Sequence, residues 1–224
     1  MDFRIMERGY AEYLALIPGW GFLPAIFSRV CLCYNYVMPA EPVYGDISDY
    51  LCNFLRKKDI RAVSILGWSM GSYVAIDFCR KYPSMTNDLF LVSFRRRFPR
   101  KEIKDQLDSM ERNFIDMLRR FYRRCFIGQR EDYEWFIRDL EEAHLMGLDP
   151  TGLKAGLDYL SRGSVGAAGC IHPDRSIRFF YGARDLVAPL TPAPRHEDMD
   201  IIVINSSGHL PFLSPEFERV LIAS

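Results

Sequence analysis

Residues 65–73 read ILGWSMGSY, and the serine at their centre decides how the rest of the chain is understood. Ser69 lies between Gly67 and Gly71. The apolar run Ala62-Val63-Ser64-Ile65-Leu66 precedes it, and Tyr73, Val74, Ala75, Ile76 and Phe78 follow. A strand, a turn of small residues and a helix, with serine at the apex, is the pattern of a nucleophile elbow. Glycines on both sides let the chain reverse sharply and keep Cβ atoms away from the serine. The same letters also occur in ordinary tight turns, so the reading depends on partners elsewhere in the chain.

The chain of 224 residues suits one domain with room for an insertion. At 49% hydrophobic and 14% aromatic it is neither disordered nor collagen-like. Its formal net charge of zero gives no global field toward nucleic acid or membrane, so electrostatic recognition has to come from a local patch. The opening MDFRIMERGY lacks the apolar core of a signal peptide, and no run of 18 apolar residues suggests a membrane span. Cys31, Cys33, Cys52, Cys79, Cys125 and Cys170 contain no C-x-x-C pair and sit in apolar segments. They read as buried, reduced thiols of a cytoplasmic protein, expected to be a monomer.

Strand-like runs fall at Tyr13–Ile17, Val30–Val37, Ala62–Leu66, Leu89–Ser93, Ile177–Tyr181 and Ile201–Ile204, with helical patterns between most of them. A helix over 46–58 starts at Asp46 as N-cap, another covers 70–81, and a last one opens at Ser214-Pro215. Alternating strands and helices imply an α/β fold with a mostly parallel sheet covered on both faces. The alternation stops between about 94 and 172, where the pattern is almost wholly helical and rich in charge. The expected organisation is a core of 1–93 and 173–224 with a helical cap, 94–172, inserted over the crevice where α/β sheets bind ligands.

A serine hydroxyl needs a base, and the base needs an acid group to hold its tautomer. In elbow-type hydrolases these follow the serine in the order acid, then histidine. Of His144, His172, His196 and His209, only His209 stands in a loop directly after a strand and shortly before the last helix, in IIVINSSGHLPF. Asp185 occupies the matching loop after the preceding strand, in IRFFYGARDLVAP. Ser69, Asp185 and His209 therefore satisfy chain order and strand-end position together. Taken singly, His209 could be a surface histidine and Asp185 a turn aspartate.

The tetrahedral intermediate of acyl transfer needs two aimed N–H donors. Met70, after the serine and at a helix N-terminus, is one candidate. Trp20, flanked by Gly19 and Gly21 in LIPGWGF, is the other, its ring left to line the pocket or the core. His172 reads as a structural loop residue, His196 as a solvated one in PRHEDMD, and His144 as a cap residue that could touch substrate but is not expected to. No cluster has metal-ligand spacing, and the chemistry asks for no cofactor.

These residues resemble the α/β-hydrolases, and most of all the pimeloyl-acyl-carrier protein methyl ester esterases of biotin synthesis. PGWGF, LGWSMGSYVA, GLDYL, FFYGARDLVAP and SSGHLPFLSPEF carry the resemblance, in order, across most of the chain. It implies an α/β-hydrolase fold with Ser69 as nucleophile, His209 as general base, Asp185 as its orienter and the Trp20 and Met70 amides as oxyanion hole. Two departures concern the pocket. Pro18-Gly19 replaces the usual His-Gly, and residues 34–45 (YNYVMPAEPVYG) are shorter than the family's stretch and lack its G-x-G-x-S element.

Residues 95–138 hold eleven Arg and two Lys against eight acids. On one continuous helix, Met110, Phe114, Met117, Leu118, Phe121 and Cys125 would form an apolar stripe. Arg119, Arg120, Arg123 and Arg124 would project oppositely with no acid among them, so an acidic partner would relieve their repulsion. The resemblance implies that this partner is an acyl-carrier protein, docked through bidentate arginine contacts. Nucleic acid is disfavoured because no nucleic-acid motif accompanies the patch. Two other functions remain open: a short-chain carboxylesterase without a carrier partner, and a catalytically silent binding module.

Overall fold

The computed structural model describes residues 1–164, 170, 172, 175–190 and 200–222. Among these described residues seven strands form one sheet in the order β1-β3-β2-β4-β5-β6-β7. They are β1 (Phe3–Met6), β2 (Tyr13–Ile17), β3 (Asn35–Pro39), β4 (Val63–Trp68), β5 (Thr86–Val92), β6 (Ile177–Gly182) and β7 (Asp200–Ile204). All neighbours pair in parallel except β1, which runs antiparallel to β3 at the edge. The central strands are mainly apolar, and Leu14, Leu16, Ile65, Leu66, Phe90 and Leu91 are wholly buried, as a parallel sheet covered on both faces requires.

Helices α1 (Ser48–Lys57) and α2 (Met70–Lys81) lie between the early strands, and α8 (Pro215–Ile222) follows β7. Asp46 anchors the start of α1 by accepting the Ser48 amide at 2.9 Å, although the helix itself begins two residues later than expected. Helix α2 spans the residues read from the sequence, and Ser214 accepts the Glu216 amide at the start of α8 at 3.2 Å. Between β5 and β6 the described residues form five α-helices: α3 (Arg100–Arg112), α4 (Phe114–Cys125), α5 (Arg130–Asp139), α6 (Glu141–Gly147) and α7 (Pro150–Arg162).

Four sequence expectations are corrected. The strand expected over Val30–Val37 is confined to Asn35–Pro39, because the chain before it is drawn around Arg8. The Arg8 guanidinium donates to the carbonyls of Leu32 and Tyr34, which are then lost to a sheet ladder. In the same loop Leu32 is buried, which turns Cys31 and Cys33 outward. Those two thiols are exposed, while Cys52, Cys79, Cys125 and Cys170 are buried as expected. The edge strand β1 has no counterpart in the apolar runs, being only four residues long with Arg4 exposed. The continuous helix over 110–125 is two helices. Asn113 leaves the helical conformation at φ −160° and caps α4 by accepting the Asp116 amide at 3.1 Å.

The strand ends on the site side meet at close range. A Cβ placed on Gly182, the last residue of β6, would lie 1.9 Å from the carbonyl oxygen of Gly208 and 2.5 Å from that of Ser207. Gly182→Ala should therefore cost about 2 kcal/mol or more, as overpacking a rigid backbone contact does. It should also displace the loop carrying His209. Urea midpoints beside wild type check this, and an unchanged midpoint would contradict the packing.

Candidate active site

Ser69 stands between the last residue of β4 and the first of α2 with φ 54° and ψ −113°, a conformation that side-chain-bearing residues avoid. What forces it is close packing on both sides. A Cβ on Gly67 would lie 2.4 Å from the Gly71 oxygen, and one on Gly71 would lie 2.2 Å from the Ile17 oxygen. The strained residue is tied down by its own backbone, its amide donating to Val92 on β5 at 2.8 Å. Ser69 is buried, and it lines a cavity of about 320 Å³ roofed by α3, α4 and α7. Phe98, Ile103, Met117, Phe121, Leu157 and Leu160 give the cavity an apolar side, while Glu102, Asp105, Arg120 and Arg124 make the rest of its lining polar and charged.

Asp185 and His209 come together from the loops after β6 and β7. His209 Nδ1 and Asp185 Oδ2 are 2.8 Å apart with both side chains buried. The other carboxylate oxygen, Oδ1, accepts the amides of Val187 at 2.8 Å and Ala188 at 2.9 Å. Burial pushes the Asp185 carboxyl up. The His209 contact and the two amide donors outweigh it, and the net position is below the ordinary aspartate value.

The backbone of His209 is tied directly to the surroundings of the serine. Its carbonyl accepts the Trp68 indole N–H at 2.7 Å and the Ser93 hydroxyl at 3.0 Å, and its amide donates to the Cys125 carbonyl at 2.9 Å. Trp68 immediately precedes Ser69, and its ring lies 5.4 Å from the imidazole, centroid to centroid. Sequence reasoning did not find Ser93, Cys125 or the indole bond of Trp68. The tryptophan before the serine was the one available signal.

The loop after β2 passes against the serine. A Cβ on Gly19 would lie 3.1 Å from that of Ser69, and Gly21 turns the chain with φ 76°. Trp20 is buried and lines the cavity, its indole donating to Leu153 of α7 at 2.9 Å. Met70 opens α2, where first-turn amides have no acceptor within the helix. Further bonds fasten the helices over the sheet: Tyr122 to the Gly21 carbonyl at 3.1 Å, and Tyr159 to Asp77 at 2.6 Å.

The arginines of α4 do not act alike. All four are exposed, yet Arg119 has an acid partner after all, Glu141 at 3.7 Å, and Arg124 donates to the Leu186 carbonyl at 3.1 Å. Folding brings α6 and the Asp185 loop against α4, which no local pattern shows. His144 is buried among Phe22, Tyr122 and Phe136. Its Nδ1 lies 2.8 Å from the Leu140 carbonyl, and burial lowers its pKa to about 4. His172 is exposed and its carbonyl accepts the Arg175 amide at 3.1 Å, whereas His196 falls outside the described residues. Among the described residues no group of three or more metal-ligating side chains occurs, and no helix is long and apolar enough to cross a membrane.

Against known proteins, no protein-family model matches the chain. The fold is that of the α/β-hydrolases. An esterase from Exiguobacterium antarcticum superposes with a TM-score of 0.80 at 18% identity, covering 99% of this chain and 94% of that one. A bromoperoxidase from Bacillus anthracis also gives 0.80, at 15% identity over 99% and 93%. Among curated proteins the chain resembles pimeloyl-acyl-carrier protein methyl ester esterases. That of Chromobacterium violaceum is 25% identical over 98% of this chain and 96% of its own length. That of Aromatoleum aromaticum is 26% identical over 93% and 96%.

The lowered Asp185 carboxyl has a consequence for stability. A carboxyl whose folded pKa lies below its unfolded one contributes stability above the unfolded value, and loses it as pH falls through the folded value. Asp185→Asn removes that contribution. The gap in urea midpoint between wild type and variant should be widest near pH 7 and close as the solution is acidified through the carboxylate range. A gap independent of pH would contradict the ionised, hydrogen-bonded carboxylate.

Proposed function

We propose that this protein is a serine carboxylic ester hydrolase whose substrate is the methyl ester of a pimeloyl chain carried on an acyl-carrier protein. The observation that carries the hydrolase reading is the buried 2.8 Å contact of Asp185 with His209, on the loops after β6 and β7, in a fold whose serine occupies the strand-to-helix turn. In this reading Ser69 Oγ attacks the ester carbonyl while His209 Nε2 takes its proton. Asp185 holds the imidazole in the tautomer that does so and stabilises the imidazolium. The Trp20 and Met70 amides receive the negative charge that develops on the carbonyl oxygen. His209 then protonates departing methanol, and water, deprotonated by His209, releases the free carboxylate from Ser69. Helices α3 to α7, within residues 94–172, act as the cap of a core formed by 1–93 and 173–224.

The carrier-bound substrate is supported by the curated relatives, which bear that name, and by the chemistry of the cap. The cavity is apolar enough for an alkyl chain, and arginines at its edge suit the phosphate and carboxylates of a carrier. A second reading, a short-chain carboxylesterase without a carrier partner, is favoured by one observation. Arg119 and Arg124 already have partners within the chain, which weakens the case that they await one outside it.

Two experiments separate these readings. Ser69→Ala should remove turnover by several orders of magnitude while the fold persists by circular dichroism, and retained turnover would sink the hydrolase reading. Wild type should cleave the carrier-bound methyl ester in preference to the free methyl ester and p-nitrophenyl butyrate, followed by mass spectrometry. The charge reversal Arg119→Glu/Arg123→Glu should reduce that preference about tenfold, equivalent to about 1.4 kcal/mol. Equal cleavage of free and carrier-bound esters would favour the second reading.

A further inference from the structure

Gln129 is a buried polar residue at the junction of α4 and α5, 7% exposed, reached through a turn at Gly128 with φ 85°. Its side-chain amide has three partners. Oε1 accepts the Gly208 amide at 3.0 Å, and Nε2 donates to the Leu210 carbonyl at 2.9 Å and to Asp132 Oδ2 at 3.2 Å. Two acceptors on one side and a donor on the other fix which way the amide faces, because only its nitrogen can donate.

Gly208 and Leu210 flank His209, whose own amide donates to Cys125 at the end of α4 at 2.9 Å. One side chain and one helix end thus hold three consecutive residues, as a neighbouring strand would. The approach is close, since a Cβ on Gly208 would lie 2.4 Å from the Ile127 oxygen. None of these bonds touches the imidazole. They fix the backbone from which it is presented to Asp185.

We infer that Gln129 is the positioning residue of His209, a clamp supplied by the helical segment to the loop that carries the base. The inference rests on the proposed role of His209 in ester hydrolysis. Without the amide, the buried Gly208 N–H loses its partner and the Leu210 carbonyl keeps only the Leu213 amide at 3.1 Å, and a buried donor is costly to leave unpaired. The loop recovers a partner by moving, and it takes the imidazole with it. Acyl transfer tolerates little displacement, a shift of about 1 Å being enough to cost on the order of a hundredfold.

Gln129→Met keeps the length of the side chain and removes both kinds of bond. The first readout is the His209 Nδ1 proton by nuclear magnetic resonance. It should be far downfield and slow to exchange in wild type, and should exchange faster in the variant. The second is p-nitrophenyl butyrate hydrolysis, where kcat should fall about tenfold to a hundredfold with little change in KM. A folded variant with wild-type exchange and kcat would overturn the clamp, and so would a loss of kcat with the proton unaffected. Should Gln129→Met not fold, Gln129→Ala serves the same measurements, because its methyl group can neither accept from Gly208 nor donate to Leu210. A wild type inert toward esters would sink the hydrolase reading alone, since the proton reports on the clamp independently of turnover.

Discussion

The reversal of the chain at Ser69 is the constraint on which the rest of the structure depends. A residue with a side chain is held at φ 54°, at a cost of about 1–3 kcal/mol for such backbone. It persists because β4, α2 and the end of β2 converge so closely that neither Gly67 nor Gly71 has room for a Cβ. The amide of Ser69 is satisfied by Val92 at 2.8 Å, so the strain is not compounded by a buried unpaired donor. The same convergence brings the Gly19–Gly21 turn against the serine and directs α2 away from it.

His209 is positioned from two directions. From the sheet, Trp68 and Ser93 both donate to its carbonyl, binding it to the residues next to Ser69 and at the end of β5. From the helical segment, Cys125 accepts its amide and Gln129 engages the residues on either side. The helices over the site therefore do more than cover a cavity. Their α4–α5 junction is built into the loop of the imidazole, and Arg124 of the same helix reaches the loop of Asp185. In the proposed reading, where loops at the strand ends carry the reactive groups, these helices tune their geometry as well as select what enters.

Much of this was legible in the sequence, for identifiable reasons. The strand-turn-helix around Ser69 is a local pattern with glycines at fixed offsets, and α2 spans the residues it predicts. Asp185 and His209 could be assigned to strand-end loops because the runs before them are strongly apolar, and the fold brings their side chains to 2.8 Å. What escaped depended mostly on contacts distant in the chain, the local cap at Asn113 being the exception. Arg8 diverts the Leu32 and Tyr34 carbonyls from a strand, and Asn113 interrupts an apolar stripe that periodicity alone would continue. Glu141 and Leu186 reach the arginines of α4 only after folding. Gln129, a lone amide among charged helical residues, carries no pattern that would single it out.

The most direct measurement of the central claim is intact-protein mass spectrometry after exposure to a serine-directed fluorophosphonate, on wild type, Ser69→Ala and His209→Ala. One adduct per chain on wild type, mapped to Ser69, absent from Ser69→Ala and strongly slowed in His209→Ala, is the result expected of a serine activated by its buried Asp185–His209 pair. A wild type that stays unmodified, or that labels equally well without His209, would contradict it.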